Sequence, residues 1–186
     1  MSNSVQLHRV FSAPVERVYR AFTTADALVK WMAPHGFTAH VDQFDLREGG
    51  QYRMFFTNFS TGMQHSFHGT YHEIVENSLL RYTDEFDVPE LAGKIEVRVE
   101  FKEVSVGTEV HITQSGLPDV IPVDGCYLGW QESLQLLAFL VNPDIVDLEQ
   151  WFTKIAEQFG GEYDGWGCMA YVYDDEDDED YEQGQA

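Results

Sequence analysis

Apolar and polar positions alternate weakly at the start of the chain. Val5 and Leu7 flank Gln6, and Val10-Phe11 follow, which predicts a first strand. Ser12-Ala13-Pro14 breaks it, and Pro14 suits the first turn of a helix. Val15, Val18, Tyr19 and Phe22 then recur at helical spacing, and Thr24 is placed to cap a second short helix through Ala27, Leu28 and Trp31. Pro34-His35-Gly36 ends it, and from Phe37 the period falls to two. Phe37, Ala39 and Val41 alternate with Thr38, His40 and Asp42; Gly49-Gly50 marks a turn, and Gln51 to Thr57 resumes the extended chain. Further strands are predicted over Ser66–Val75, Leu79–Phe86, Ile95–Val104 and Thr108–Gln114. The clearest is Ile95, Val97, Val99 and Phe101 interleaved with Glu96, Arg98 and Glu100, one wet face and one buried face. No helical crossovers separate these strands, so antiparallel neighbours are expected.

The longest helix is predicted over about Asp124 to Val141. Tyr127, Trp130, Leu134, Leu137 and Val141 form one apolar stripe at 3.6 residues per turn, so this helix should lie across the apolar face of the sheet. Leu128, Leu136 and Phe139 form a second stripe that a single sheet cannot cover. Its expected cover is the chain's own C-terminal extension or a second copy in a homodimer. Residues 1–143 thus read as one α+β domain, 144–173 as a helix–turn–strand extension, and 174–186 as an acidic disordered tail.

At 186 residues with 14% aromatics the chain can fill one core, with little left for a second. The longest apolar run, Leu136 to Val141, is too short for a membrane span, and Met1 to Gln6 lacks the features of a secretory signal, so a cytoplasmic protein is expected. Cys126 and Cys168 are too few for a disulfide framework. Charge is more informative. Acidic residues number 32 against 11 basic, a net charge of −21; without the eight acids between Asp174 and Glu182 it is still −13. Such a chain repels phosphate backbones and anionic membranes, which argues against both as partners.

The order of elements resembles the START-like helix-grip fold. Ala13-Pro14 with Val18-Tyr19 and Ala21-Phe22-Thr23, Trp31-Met32-Ala33-Pro34, Asp45-Leu46-Arg47-Glu48-Gly49-Gly50 with Tyr52-Arg53, Gly69, Gly107-Thr108 and Gly129-Trp130-Gln131-Glu132-Ser133-Leu134 resemble the Hsp90-ATPase-activator homologue branch of that superfamily. The resemblance spans about Val5 to Val141. It implies a curved antiparallel sheet wrapped around the long C-terminal helix, with an apolar cavity between them. Family members include co-chaperone domains that stimulate Hsp90; more distant relatives bind lipids or cyclise polyketides. A second resemblance, over Ala156 to Gly167, is to the end of the ribonuclease E inhibitor B family. It covers one helix and one strand, too little for an independent core.

His65, His68 and His72 are close enough in sequence to be candidate metal ligands. Gly69, Thr70 and Tyr71 favour a strand there, and on a strand His68 and His72 would stand about 13 Å apart, too far to share an ion. No metal and no cofactor is expected. Nucleophile-elbow, phosphate-loop and paired-cysteine motifs are missing, so no catalytic residue is assigned. The cavity lining expected from the pattern is Trp31, Met54, Phe56, Phe67, Tyr71, Tyr82, Trp130 and Leu134, with the parity of the second strand pair open between Met54/Phe56 and Phe55. Three functions follow. The first is non-enzymatic binding of a small apolar ligand or an apolar client segment, of chaperone-related type. The second is a cyclase- or aromatase-like enzyme in the same cavity, for which a deep polar residue is required and Tyr82 and His111 are the nearest candidates. The third is a protein-interaction role through the extension, its acidic tail engaging a basic partner.

Overall fold

The computed structural model describes residues 3–142 except 92, together with 153, 154, 156–158 and 160. By its contacts the chain divides into a unit of residues 1–145 and a unit of residues 146–186. The helix–strand extension and the acidic tail lie almost wholly outside the described residues.

The first unit is one antiparallel sheet of seven strands with three helices. Strand β1 (Ser4–Phe11) is followed by α1 (Val15–Phe22) and α2 (Ala25–Trp31). Then come β2 (Phe37–Phe44), β3 (Gln51–Asn58), β4 (Gln64–Val75), β5 (Leu79–Phe86), β6 (Ile95–Val104) and β7 (Gly107–Ser115). Helix α3 (Val123–Val141) closes the unit. The strands run in the spatial order β1-β7-β6-β5-β4-β3-β2. Consecutive strands from β2 to β7 are neighbours, and β1 returns to pair with β7. An extra residue sits in β2 between Val41 and Gln43, and another in β4 between Tyr71 and Glu73. Such bulges bend the strand that carries them.

The two-residue period of β6 translates directly into burial: Ile95, Val97, Val99 and Phe101 are buried, and Glu96, Arg98 and Glu100 are exposed. On β3 the pairing with β4 resolves the parity. Tyr52 and Met54 are buried, and Phe56 follows them inward, while Phe55 lies on the outer face beneath the Arg53 guanidinium. Two buried hydrogen bonds tie the short helices down. Trp31 Nε1 donates to the Ala21 carbonyl at 2.9 Å, and Thr108 Oγ1 donates to the Ala13 carbonyl at 2.7 Å. Thr24 stands at the N-cap of α2, but its hydroxyl makes no capping bond.

Helix α3 buries Trp130, Ser133, Leu134, Leu137 and Val141. Tyr127, expected on the same stripe, is instead 42% exposed. The inward line at that end passes through Cys126, whose thiol reaches Gln114 on β7, and this turns the Tyr127 ring outward. In the second stripe Leu128 and Phe139 are exposed together with Leu140, and Leu136 is partly buried against the core. No described helix is long and apolar enough to cross a membrane.

Candidate functional site

Sheet and helix meet tightly along only part of α3. Leu134, Leu137 and Val141, in its second half, are buried in the continuous core. Cys126, Gly129, Trp130 and Ser133, mostly in its first half, border a cleft of about 200 Å³. Across from them the sheet contributes Phe56 from β3, Phe67 from β4, Asp84 and Phe86 from β5, Ile95 from β6 and Gln114 from β7; Met32 and Pro34 complete the rim. Phe67 and Phe86 are register partners on β4 and β5, and the Phe56 ring meets Phe67 edge to face at 5.0 Å.

Of the eight residues expected to line a cavity, Phe56, Phe67 and Trp130 do line this cleft. Met54, Tyr71 and Tyr82 border a separate void of only about 20 Å³, roughly the space of one water. Trp31 is fully buried against Phe22, and Leu134 is 1% exposed in the core. His111 stands on the outer face of the sheet, and Tyr82 is buried away from the cleft.

The residue that sequence reasoning passed over is Asp84. Its signal was present: Leu80, Tyr82, Asp84 and Phe86 share one strand parity, and the first two are buried. Asp84 is itself buried, and its side-chain hydrogen bond comes from the Tyr52 hydroxyl to Oδ1. Burial raises its carboxyl to about 6, against the opposing pull of the Tyr52 bond and the His68 imidazole. The carboxyl is therefore mainly ionised at pH 7, inside a mostly apolar enclosure. Among the described residues, no lysine, arginine or histidine lines the cleft.

The other polar groups of the cleft are tied to one another. Gln114 Oε1 accepts from Trp130 Nε1 and from Cys126 Sγ, both at 2.9 Å. Ser133 Oγ lies 2.8 Å from the Met32 carbonyl and 2.9 Å from that of Gly129. Burial and the nearby Asp84 push the Cys126 thiol up to about 11, so it is protonated at neutral pH and a poor nucleophile.

The histidines fall elsewhere. His65, His68 and His72 are all exposed on β4, and His68 Nδ1 pairs with Asp87 at 2.9 Å. Register brings together a different pair: His8 on β1 faces His111 on β7, their rings stacked at 4.5 Å. Glu109 Oε1 lies 2.9 Å from His8 Nε2 and 3.5 Å from His111 Nε2. Among the described residues these three are the group whose ligand atoms could approach one metal ion. The Lys102 ammonium, 3.6 Å from the same carboxylate, competes for it.

A curved antiparallel sheet holding a long C-terminal helix, with a cleft where the two part, defines a helix-grip protein of the START-like class. The family model of "Activator of Hsp90 ATPase homolog 1-like protein" matches residues 12–142, so the chain belongs to that family. A solved Chromobacterium violaceum protein is 48% identical, with 76% of this chain and 98% of that one covered at a TM-score of 0.75. A Nitrosomonas europaea structure, 22% identical over 77% of this chain and 96% of that one, has a TM-score of 0.63. A Rhodobacter sphaeroides structure, 19% identical over 74% and 90%, has a TM-score of 0.65. The last two share the fold alone. The family model of "Regulator of ribonuclease activity B" matches residues 124–168, from α3 into the second unit. No curated protein matches the sequence.

Proposed function

We propose that the chain is a non-enzymatic binding protein whose cleft receives a small, mainly apolar ligand. The observation that carries this reading is the gap of about 200 Å³ left between the sheet and the first half of α3, walled by aromatic and aliphatic side chains. A close-packed core leaves few voids larger than a water molecule, so a gap of this size with apolar walls is a candidate site. Its volume suits a small molecule better than an extended peptide; a protein client would offer at most one or two side chains. Native mass spectrometry and displacement of a neutral apolar dye test it directly. Displacement by small apolar compounds, lost when Gly129→Trp fills the cleft, is expected; equal displacement from the filled variant would overturn the reading. The family's description also raises an Hsp90 partner, and an Hsp90 ATPase assay with the full chain decides that point.

A second reading, an enzyme of cyclase or aromatase type, is favoured by Asp84. A buried carboxyl raised to about 6 within a cleft is suited to acid–base work near neutral pH. An enzyme would lose turnover in Asp84→Asn with ligand affinity retained.

A further inference from the structure

Among the described residues, Asp84 is the one carboxyl lining the cleft, and no lysine, arginine or histidine lines it with Asp84. Asp84 is buried, lines the gap, and takes its side-chain hydrogen bond from Tyr52, which reaches it across β4 at Gly69. Four aromatic residues line the same cleft: Phe56 and Phe67, whose rings lie 5.0 Å from each other, Phe86, whose ring is 6.1 Å from that of Phe67, and Trp130 on α3. Aromatic faces are the negative pole of the ring quadrupole and attract a cation lying over them. Trp130 is held in place by its Nε1–H bond to Gln114, which leaves its ring free to form a wall. A buried carboxylate in apolar surroundings is unfavourable unless paired. A neutral hydrocarbon filling the cleft would strip water from Asp84 and leave that cost unmet. A cation would meet it.

We propose that the ligand of this cleft is a small organic ammonium ion, its charged nitrogen set against Asp84 and within the rings of Phe56, Phe67, Phe86 and Trp130. This deepens the binding-protein reading and rests on it. The chain's net charge of −21 adds a long-range field that draws cations in, but it cannot choose between sites; the paired rings and carboxylate can.

The test uses the full chain and two probes of equal shape, benzyltrimethylammonium and its uncharged analogue neopentylbenzene, titrated by ligand-observed NMR. The cation is expected to bind at least about tenfold more tightly, from cation–ring and carboxylate attraction together. In Asp84→Asn, which changes the net charge by a single unit and leaves the rings in place, that preference should fall several-fold to the smaller part that the rings supply. In Phe86→Leu it should shrink with the neutral probe little affected, and this variant carries the test should Asp84→Asn fail to fold. Equal binding of both probes by the wild-type chain, or a preference that both substitutions leave unchanged, overturns the ammonium proposal and leaves the cleft reading standing. Binding of neither probe, nor of any small apolar compound, overturns both.

Discussion

Gly69 on β4 stands directly opposite Tyr52 on β3, and the tyrosine ring lies over the glycine. A Cβ at position 69 would run into the Thr83 carbonyl and come within 2.5 Å of the Tyr52 hydroxyl. The missing side chain lets the phenol pass across the sheet and donate to Asp84. One small residue thereby sets the one tyrosine that steadies the charge in the cleft. Gly69→Ala should lower the urea midpoint, with a loss of about 1–3 kcal/mol from overpacking and an unchanged slope. A midpoint equal to that of the wild-type chain would contradict this close approach.

Asp84 links stability to pH with an unusual sign. Its carboxyl titrates at about 6 in the folded chain against an ordinary value of 3.8, so the folded state holds the proton more tightly. Stability from this group is greatest below the ordinary value, declines as pH rises between the two, and above pH 6 the burial of the charge is a constant cost on the order of 3 kcal/mol. Tyr52, Tyr71 and Tyr82 face it, but burial raises all three, and Cys126 is raised to about 11, so none of the four ionises below pH 8. His68 is the remaining partner, acting from the outer face of β4. Asp84→Asn keeps an acceptor for Tyr52 and should stabilise the chain at pH 8, with roughly half that gain at pH 5. Denaturant unfolding at the two pH values measures it; a gain that grows toward acid would refute the assignment.

The two stripes of α3 should respond differently to truncation. Leu137 is fully buried, and Leu137→Ala should cost about 2–5 kcal/mol. Leu128 is 61% exposed, and Leu128→Ala should stay within about 0.5 kcal/mol. A loss at Leu128 comparable to that at Leu137 would mean that another surface covers this face, and the mass from sedimentation equilibrium would then distinguish a second copy from the chain's own extension.

Cys126 should react slowly. Its thiol is half-buried, donates to Gln114 and is pushed up to about 11. In a Cys168→Ser background, disulfide exchange with an aromatic disulfide reagent at pH 7.5 should run well over tenfold slower than with free cysteine. Filling the cleft with ligand should slow it further, since Cys126 lines it. A rate like that of free cysteine would show an ionised, exposed sulfur instead.

Much of the architecture was legible because its signals are local. Alternation in β6 and the 3.6-residue spacing of Trp130, Leu134, Leu137 and Val141 each report which side chains turn inward. Phe56, Phe67 and Trp130 were placed at the cleft on that basis. Asp84 shares the inward parity of Leu80 and Tyr82, yet strand carboxylates ordinarily face water, and among 32 acidic residues alternation alone does not single it out. The approach of His8 to His111 depends on the pairing of β1 with β7, strands about a hundred residues apart, and no local period encodes it.

The order of the elements, the inward face of β6 and of most of α3, the acidic composition and the family were therefore determined by the sequence alone, whereas the parity of β3 and the outward turn of Tyr127 were not. Only the tertiary structure decided that the first half of α3 stands off the sheet while the second half packs against it, and that Trp31, Met54 and Leu134 fill space whereas Asp84 and Phe86 border it. The reason is that apolar burial has no direction of its own. A periodic pattern says which side chains leave water, and the three-dimensional fit of bulky neighbours settles whether each meets another side chain or a gap.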